Sequence, residues 1–154
     1  MAMYFLDSSA VVKRYFPEQG HKWIDTLCDA AMGHEIYIAQ SALVEVVAAL
    51  CRREREGSIT LRKRDTLIML FRKDSRESYN VWPVTTDLYT SAGDLCRSHR
   101  LRAYDAVQLA CIVALRRYTL ANQAPEHIFV CANVGLLNIA GVEGLQVENP
   151  NTYP

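Results

Sequence analysis

Three acidic residues stand apart from the other charges of the sequence. Asp7 directly follows a short apolar run, Glu45 is the only charged residue in the segment 41–51, and Asp105 is the only one in the segment 104–115. A carboxylate in apolar surroundings costs folding free energy unless it is paired or binds a metal ion. Converging carboxylates repel one another and need a cation, and hard oxygen ligands favour Mg²⁺ or Mn²⁺. Such an ion activates a water molecule and neutralises charge on a phosphodiester, so the pattern indicates metal-dependent phosphodiester hydrolysis.

Each acid also has a structural interpretation, which the sequence leaves open. Asp7 and Asp105 lie at the predicted starts of helices, where a carboxylate accepts hydrogen bonds from free backbone N–H groups. Glu45 lies opposite the apolar stripe of its helix and would then simply face solvent. That stripe comprises Leu43, Val46, Val47 and Leu50.

Other chemistries are less well supported by the sequence. No glycine-rich nucleotide-binding motif and no G-x-S-x-G motif occurs, and the four histidines lack metal-ligand spacing. A phosphatase that forms an aspartyl phosphate would need a second acid two residues after Asp7, where Ser9 stands. The five cysteines are odd in number, widely spaced and without a C-x-x-C motif. This usage predicts buried free thiols and a reducing, cytoplasmic location.

The elements that would position the acids alternate between strands and helices along the chain. The predicted strands are Met3–Leu6, Ile36–Ala39, Asn80–Pro83, Ile128–Cys131 and Leu145–Val147. The main predicted helices are Gln19–Met32, Ser41–Arg55, Thr60–Ser75, Asp87–Ser98, Tyr104–Tyr118 and Val134–Ala140. This alternation predicts an α/β fold whose parallel sheet is covered on both faces, with ligands beyond the carboxyl ends of the strands. Asp7 after the first strand and Asn133 after the fourth would lie at that edge.

Length and charge limit the classes of function. The 154 residues predict a single domain over residues 1–148 with an irregular tail over 149–154. Lys and Arg total 17, as do Asp and Glu, so the protein does not coat nucleic acid through bulk charge. No apolar run approaches the ~18 residues of a membrane span. The N-terminus also lacks the pattern of a signal peptide.

Basic residues are nevertheless concentrated in two places. The segment 51–80 carries nine Lys and Arg residues against five Asp and Glu residues. That excess is typical either of a phosphate-facing patch or of a solvated helical hairpin. Arg100 and Arg102 lie nearer to Asp105 in the sequence, so we expect these two residues to contact the phosphates of the substrate.

Four segments resemble, in order and separation, the motifs of the PIN-domain family, and specifically its VapC-type toxins of bacterial toxin–antitoxin pairs. The segments are Tyr4–Ala10, Val44–Val46, Arg102–Ala110, and Phe129–Asn133 together with Leu136, Gly144-Leu145 and Asn149-Pro150. The third of them, RAYDAVQLA, is the most specific, and together they extend over nearly the whole chain.

The resemblance implies a three-layer α/β/α fold with a central, mostly parallel sheet. It also implies a metal-dependent endoribonuclease, often acting on structured RNA such as tRNA, in which Asp7, Glu45 and Asp105 are the catalytic metal ligands. Ser9 resembles a hydroxyl residue that forms a hydrogen bond near the metal. A small protein antitoxin and a homodimer are the implied partners.

The sequence departs from the family pattern at one position of the implied site. Asn133 stands where the family commonly has an Asp. An amide oxygen can still bind a metal ion but brings no negative charge, so weaker metal binding is expected.

Three hypotheses follow from the sequence. The first is an Mg²⁺- or Mn²⁺-dependent ribonuclease toxin, in which Asp7, Glu45 and Asp105 hold the metal and Asn133 is an auxiliary ligand or orients a water. The second is a catalytically weakened PIN-fold protein that acts by binding an antitoxin, a second subunit or RNA. The third is a phosphohydrolase for small molecules, which is less favoured because the helix-dominated architecture predicts no specificity pocket.

Overall fold

One parallel sheet forms the centre of the computed structural model, which describes residues 1–154. Its strands are β1 (Met3–Leu6), β2 (Glu35–Ala39), β3 (Asn80–Trp82), β4 (Ile128–Val130) and β5 (Gln146–Glu148). Their order in the sheet is β3-β2-β1-β4-β5, and every neighbouring pair is parallel. The predicted α/β fold with a parallel central sheet is therefore confirmed.

Seven helices cover both faces of the sheet. They are α1 (Ser8–Tyr15), α2 (His21–Leu27), α3 (Ala42–Arg55), α4 (Leu61–Glu77), α5 (Thr86–Ser98), α6 (Ala103–Ala121) and α7 (Val134–Val142). Successive residues of a strand point to opposite faces, so Phe5 belongs to the core shared with α5, α6 and α7, whereas Leu6 belongs to the core shared with α1 to α4. Phe129 and Val130 of β4 divide between the two cores in the same way. The molecule thus has three layers, with β1 in the middle of the sheet.

Some local predictions were wrong. The helix expected over Gln19–Met32 ends at Leu27, because the Asp29 carboxylate accepts from the backbone N–H of Ala31 at 2.9 Å and starts a separate 3₁₀ turn. Leu43, assigned to the apolar stripe of its helix, is 40% exposed. Cys96 is exposed rather than buried.

The C-terminal residues 149–154 pack against the start of the chain. Pro150–Thr152 form a 3₁₀ turn, and the ring of Tyr153 stacks on Trp23 with the ring centroids 4.3 Å apart. Gly20 at φ 82° lies against the Pro150 carbonyl, where a β-carbon would clash. No helix is both long and apolar enough to cross a bilayer.

Candidate active-site groove

A groove of about 670 Å³ opens where the chain leaves the carboxyl ends of β1 and β4. It brings together the three acids singled out from the sequence, since Asp7, Glu45 and Asp105 all line it. The auxiliary residues Ser9 and Asn133 line it as well. Residues far apart in the chain meet here because parallel strands place the following loops at one edge of the sheet.

Asp7 is the most buried of the three acids, with 3% of its surface exposed. Its Oδ1 accepts from the Ser9 hydroxyl at 2.6 Å and from the Ala10 N–H at 3.1 Å, and its Oδ2 accepts from the Cys131 thiol at 3.3 Å. Burial raises the pKa of Asp7 to about 6, to which the charge of Glu45 contributes. Asp7 therefore caps α1, as its structural interpretation required, and also lines the groove.

Glu45 is half-buried on α3 rather than fully solvated. The side-chain amide of Gln108 on α6 donates to its Oε1 at 2.9 Å. Burial raises the pKa of Glu45, and the charge of Asp105 acts in the same direction. The Glu45 side chain is therefore partly buried and faces the groove rather than being fully solvated.

Asp105 lies in the first turn of α6 and is also half-buried. Arg102 rather than Asp105 is the N-cap residue of α6, so Asp105 is not the cap, although its first-turn position is one that the helix dipole favours. Burial raises the pKa of Asp105, and the nearby charge of Arg102 opposes this rise. The carboxylate is thus left available to a ligand in the groove.

The electrostatics of the groove fit a bound cation. All three carboxyl groups have raised pKa values, and mutual repulsion contributes to those of Asp7 and Glu45. No three Asp, Glu, His or Cys side chains lie close enough together to surround one ion directly. Mg²⁺ needs only one or two direct carboxylates because it keeps several of its waters, so the remaining acid would act through water.

Asn133 and Ser9 hold the loop after β4 in place. The Asn133 side-chain oxygen accepts from the Leu136 N–H at 3.2 Å and caps α7. The Ser9 hydroxyl, which donates to Asp7, accepts from the Ala132 N–H at 2.9 Å. The hydroxyl therefore joins the ends of β1 and β4 beside the acids.

Basic residues from two directions line the groove. Arg102 lies on one wall, whereas Arg100 is exposed outside the groove, so the expected contact of Arg100 is not supported. Arg52 and Arg53 line it from α3, which assigns part of the basic segment 51–80 to this surface.

A cation buried at the base of one wall was not expected. Lys13 is only 4% exposed, and its Nζ donates to Glu18 at 3.2 Å and to the Gln19 carbonyl at 2.8 Å. Arg53 donates to the other oxygen of Glu18 at 2.7 Å and lies over the ring of Phe16. Glu18 thus pairs with two of the basic side chains that line the groove.

Sequence reasoning missed two residues that contact the acids. Gln108 is a polar residue inside the most apolar helix, and that contrast was a usable signal. Cys131 ends an apolar strand pattern and carried no comparable signal, because a buried thiol is ordinary in such a position.

The sequence and the fold were compared with protein families, curated proteins and solved structures. A PIN domain model matches residues 4–117 of the chain. No curated protein matches the sequence significantly.

Three solved structures share the fold at low identity. VapBC2 from Rickettsia felis, bound to a DNA fragment from its promoter, has 14% identity and a TM-score of 0.58 over 96% of this chain and 98% of that one. A toxin–antitoxin complex from Klebsiella pneumoniae has 15% identity and a TM-score of 0.53 over 96% and 97%. FitAcB from Neisseria gonorrhoeae has 13% identity and a TM-score of 0.60 over 96% and 98%. Since the matched model spans well over half of the sequence, the chain belongs to the PIN-domain family.

Proposed function

We propose that this protein is a divalent-cation-dependent endoribonuclease that acts as the toxin of a toxin–antitoxin pair. The observation that carries the proposal is the groove itself, in which three carboxyl groups with raised pKa values face a space bordered by arginines. Ionised carboxylates at such a site need a cation, and arginines favour a polyanionic substrate.

Asp7, Glu45 and Asp105 would hold Mg²⁺ or Mn²⁺. When bound, the ion supplies a water of lowered pKa and neutralises charge on the phosphodiester. Ser9 and Cys131 orient the Asp7 carboxylate through their hydrogen bonds. These contacts fix the acid before the substrate arrives, which limits the reorganisation required during the reaction.

The arginines of the groove would bind the RNA backbone. Arg102 lines the groove together with Asp105, and its charge opposes the burial that raises the pKa of Asp105, so it would favour a phosphate beside that acid. Arg52 lines the same groove from a different helix, α3. An RNA strand lying in the groove would have its phosphates contacted by both arginines.

The experiment that tests the proposal is RNA cleavage by the purified protein in Mg²⁺ and in Mn²⁺, beside Asp105→Asn and Asp87→Asn. Asp87 is a matched control, because it occupies the first turn of α5 as Asp105 occupies that of α6, and it lies outside the groove. We expect wild type and Asp87→Asn to cleave and Asp105→Asn to be inactive. Equal cleavage by Asp105→Asn under matched metal would refute the mechanism.

A second candidate function rests on Asn133. The usual acid is absent there, and the amide oxygen that replaces it is engaged in capping α7. A protein weakened in this way would act by binding an antitoxin, a second subunit or RNA. Cleavage by Asn133→Asp but not by wild type would favour this function over the first.

We extend the proposal to partners. The similar solved structures include a toxin–antitoxin complex, which supports a small protein antitoxin for this chain. Sedimentation at micromolar concentration would test the expected homodimer.

Hydrolysis of a chromogenic phosphodiester without any RNA cleavage would instead favour a small-molecule phosphohydrolase.

A further inference from the structure

A buried glutamine joins the three helices that border the groove. Gln108 on α6 is 1% exposed. Its Nε2 donates to the Ser8 hydroxyl on α1 at 3.0 Å and to Oε1 of Glu45 on α3 at 2.9 Å. One amide nitrogen therefore contacts the residue that follows Asp7 and also a second acid of the groove.

The orientation of this amide is dictated by Glu45. An ionised carboxylate only accepts hydrogen bonds, so the NH₂ group of Gln108 must point towards it. The Gln108 Oε1 atom is then buried without any hydrogen-bond partner. A buried carbonyl oxygen without a partner loses its hydrogen bonds to water on folding and therefore lowers stability.

This cost argues against a purely structural role for the side chain. All the residues of α6 around Gln108, from Ala106 to Ile112, are buried and otherwise apolar. A leucine in this position would fill similar space without an unpaired oxygen. The benefit of the amide therefore lies in the carboxylate that it contacts.

We infer that Gln108 is a positioning residue that fixes the Glu45 carboxylate towards the groove for cation binding. This inference rests on the proposed function. Gln108 lies three residues after Asp105, so both project from neighbouring turns of the same helix. A single rigid element thereby sets the places of Glu45 and Asp105 relative to each other. Partners that orient metal ligands in this way contribute substantially to metal affinity.

The test measures Mn²⁺ affinity by calorimetry and thermal unfolding without metal for wild type and Gln108→Leu. Thr119→Val is the matched control, since Thr119 is a buried residue of α6 whose hydroxyl donates to the Arg116 carbonyl at 2.9 Å, outside the groove. We expect Gln108→Leu to bind Mn²⁺ about tenfold more weakly. Its metal-free Tm should be unchanged or higher. Thr119→Val should keep wild-type affinity.

Two results would overturn the inference. One is wild-type Mn²⁺ affinity in Gln108→Leu. The other is an equal loss of affinity in Thr119→Val, which would assign the effect to helix stability. Gln108→Asn keeps the amide but shortens the side chain by one methylene, so it gives the same test if the leucine variant does not fold.

Asp7→Asn separates this inference from the proposed function. If wild type binds Mn²⁺ and Asp7→Asn does not, while Gln108→Leu binds like wild type, only the role of Gln108 is refuted. If wild type and Asp7→Asn bind Mn²⁺ equally, or neither binds it, the proposed cation site fails and the role of Gln108 fails with it.

Discussion

The two ends of the central sheet each bury an ionisable side chain, but they surround it differently. Asp7 at the carboxyl end and His127 at the amino end are both 3% exposed. Asp7 accepts three hydrogen bonds and borders an open groove. Neither ring nitrogen of His127 has a partner, and the ring packs edge-on against Tyr37 at 4.3 Å.

Burial disfavours the charged form at both ends, with different consequences. It raises the pKa of Asp7 and lowers the pKa of His127. His127 can remain neutral, so its ring contributes to the structure only by packing against Tyr37. The carboxylate of Asp7 has oriented donors and borders an open groove, which makes it a candidate for ligand binding. A buried titratable group is therefore a candidate functional group when its neighbours donate hydrogen bonds to its charged form and a groove gives a ligand access to it.

The largest expected effect is that of Asp7→Asn. Mutating a residue that only orients a metal ligand lowers metal affinity or activity by about 10–100-fold. Losing the ligand itself should therefore lower RNA cleavage by more than about 100-fold. The same variant should stabilise the metal-free protein at pH 7.5 by about 1–3 kcal/mol, because a buried charge is removed. Chemical denaturation and single-turnover cleavage measure the two effects.

The stability gain of Asp7→Asn should depend on pH. The folded pKa of about 6 lies above the ordinary value of 3.8, so the folded state holds its proton at higher pH than the unfolded state. The stability of wild type therefore falls as pH rises between these values. The advantage of Asp7→Asn should vanish near pH 4, and a gain that is constant with pH would contradict the role of the buried charge.

Asn133→Asp should have the next largest effect, in the opposite direction. It adds a carboxylate at the groove and preserves a good helix cap, because Asp and Asn cap helices about equally well. We expect Mn²⁺ to bind about tenfold more tightly, since affinity rises with the number of charged ligands. Unchanged affinity in a calorimetric titration would mean that residue 133 lies outside the ligand set.

A smaller effect should distinguish two neighbouring arginines. Arg102→Gln removes a charge from the groove, whereas Arg100→Gln removes one outside it. The slope of log affinity for RNA against log salt should fall by about 1 for Arg102→Gln only. Filter binding in Ca²⁺ at several salt concentrations measures both variants, and equal slopes would place the RNA elsewhere.

The smallest effect is expected at the amino end. Unfolding lets His127 take up a proton below its ordinary pKa of 6.5, so this residue costs stability in acid. His127→Phe keeps a ring beside Tyr37 and should raise Tm by roughly 2–4 °C at pH 5. At pH 8 only the smaller gain from removing two buried ring nitrogens without partners should remain, and cleavage should match wild type throughout. A loss of cleavage would show that the two ends are coupled.

The sequence predicted the fold and the meeting of the acids because both depend on short patterns. Apolar runs interrupted by helices predict parallel strands, and parallel strands bring Asp7 and Asn133 to one edge. The isolation of Glu45 on an apolar helix singled it out, but left a solvent-facing position equally open. These signals lie in short segments of the sequence, and the parallel topology then brings the segments together in space.

The remaining features depend on contacts between distant residues. Gln108 and Glu45 are 63 residues apart and lie on helices that cover opposite faces of the sheet, so only the tertiary fold brings the two side chains together at its edge. The choice between Arg100 and Arg102 depends on where α6 begins, and sequence patterns give helix ends poorly.

Cation binding is the central claim, and thermal unfolding with and without Mn²⁺ tests it without any assumption about the RNA target. At a metal concentration of 100 Kd, binding stabilises a protein by about 2.7 kcal/mol. We predict that Mn²⁺ raises the Tm of wild type by several degrees and leaves that of Asp7→Asn unchanged. An unchanged Tm in wild type, or an equal rise in both proteins, would contradict a cation site at the carboxyl end of the sheet.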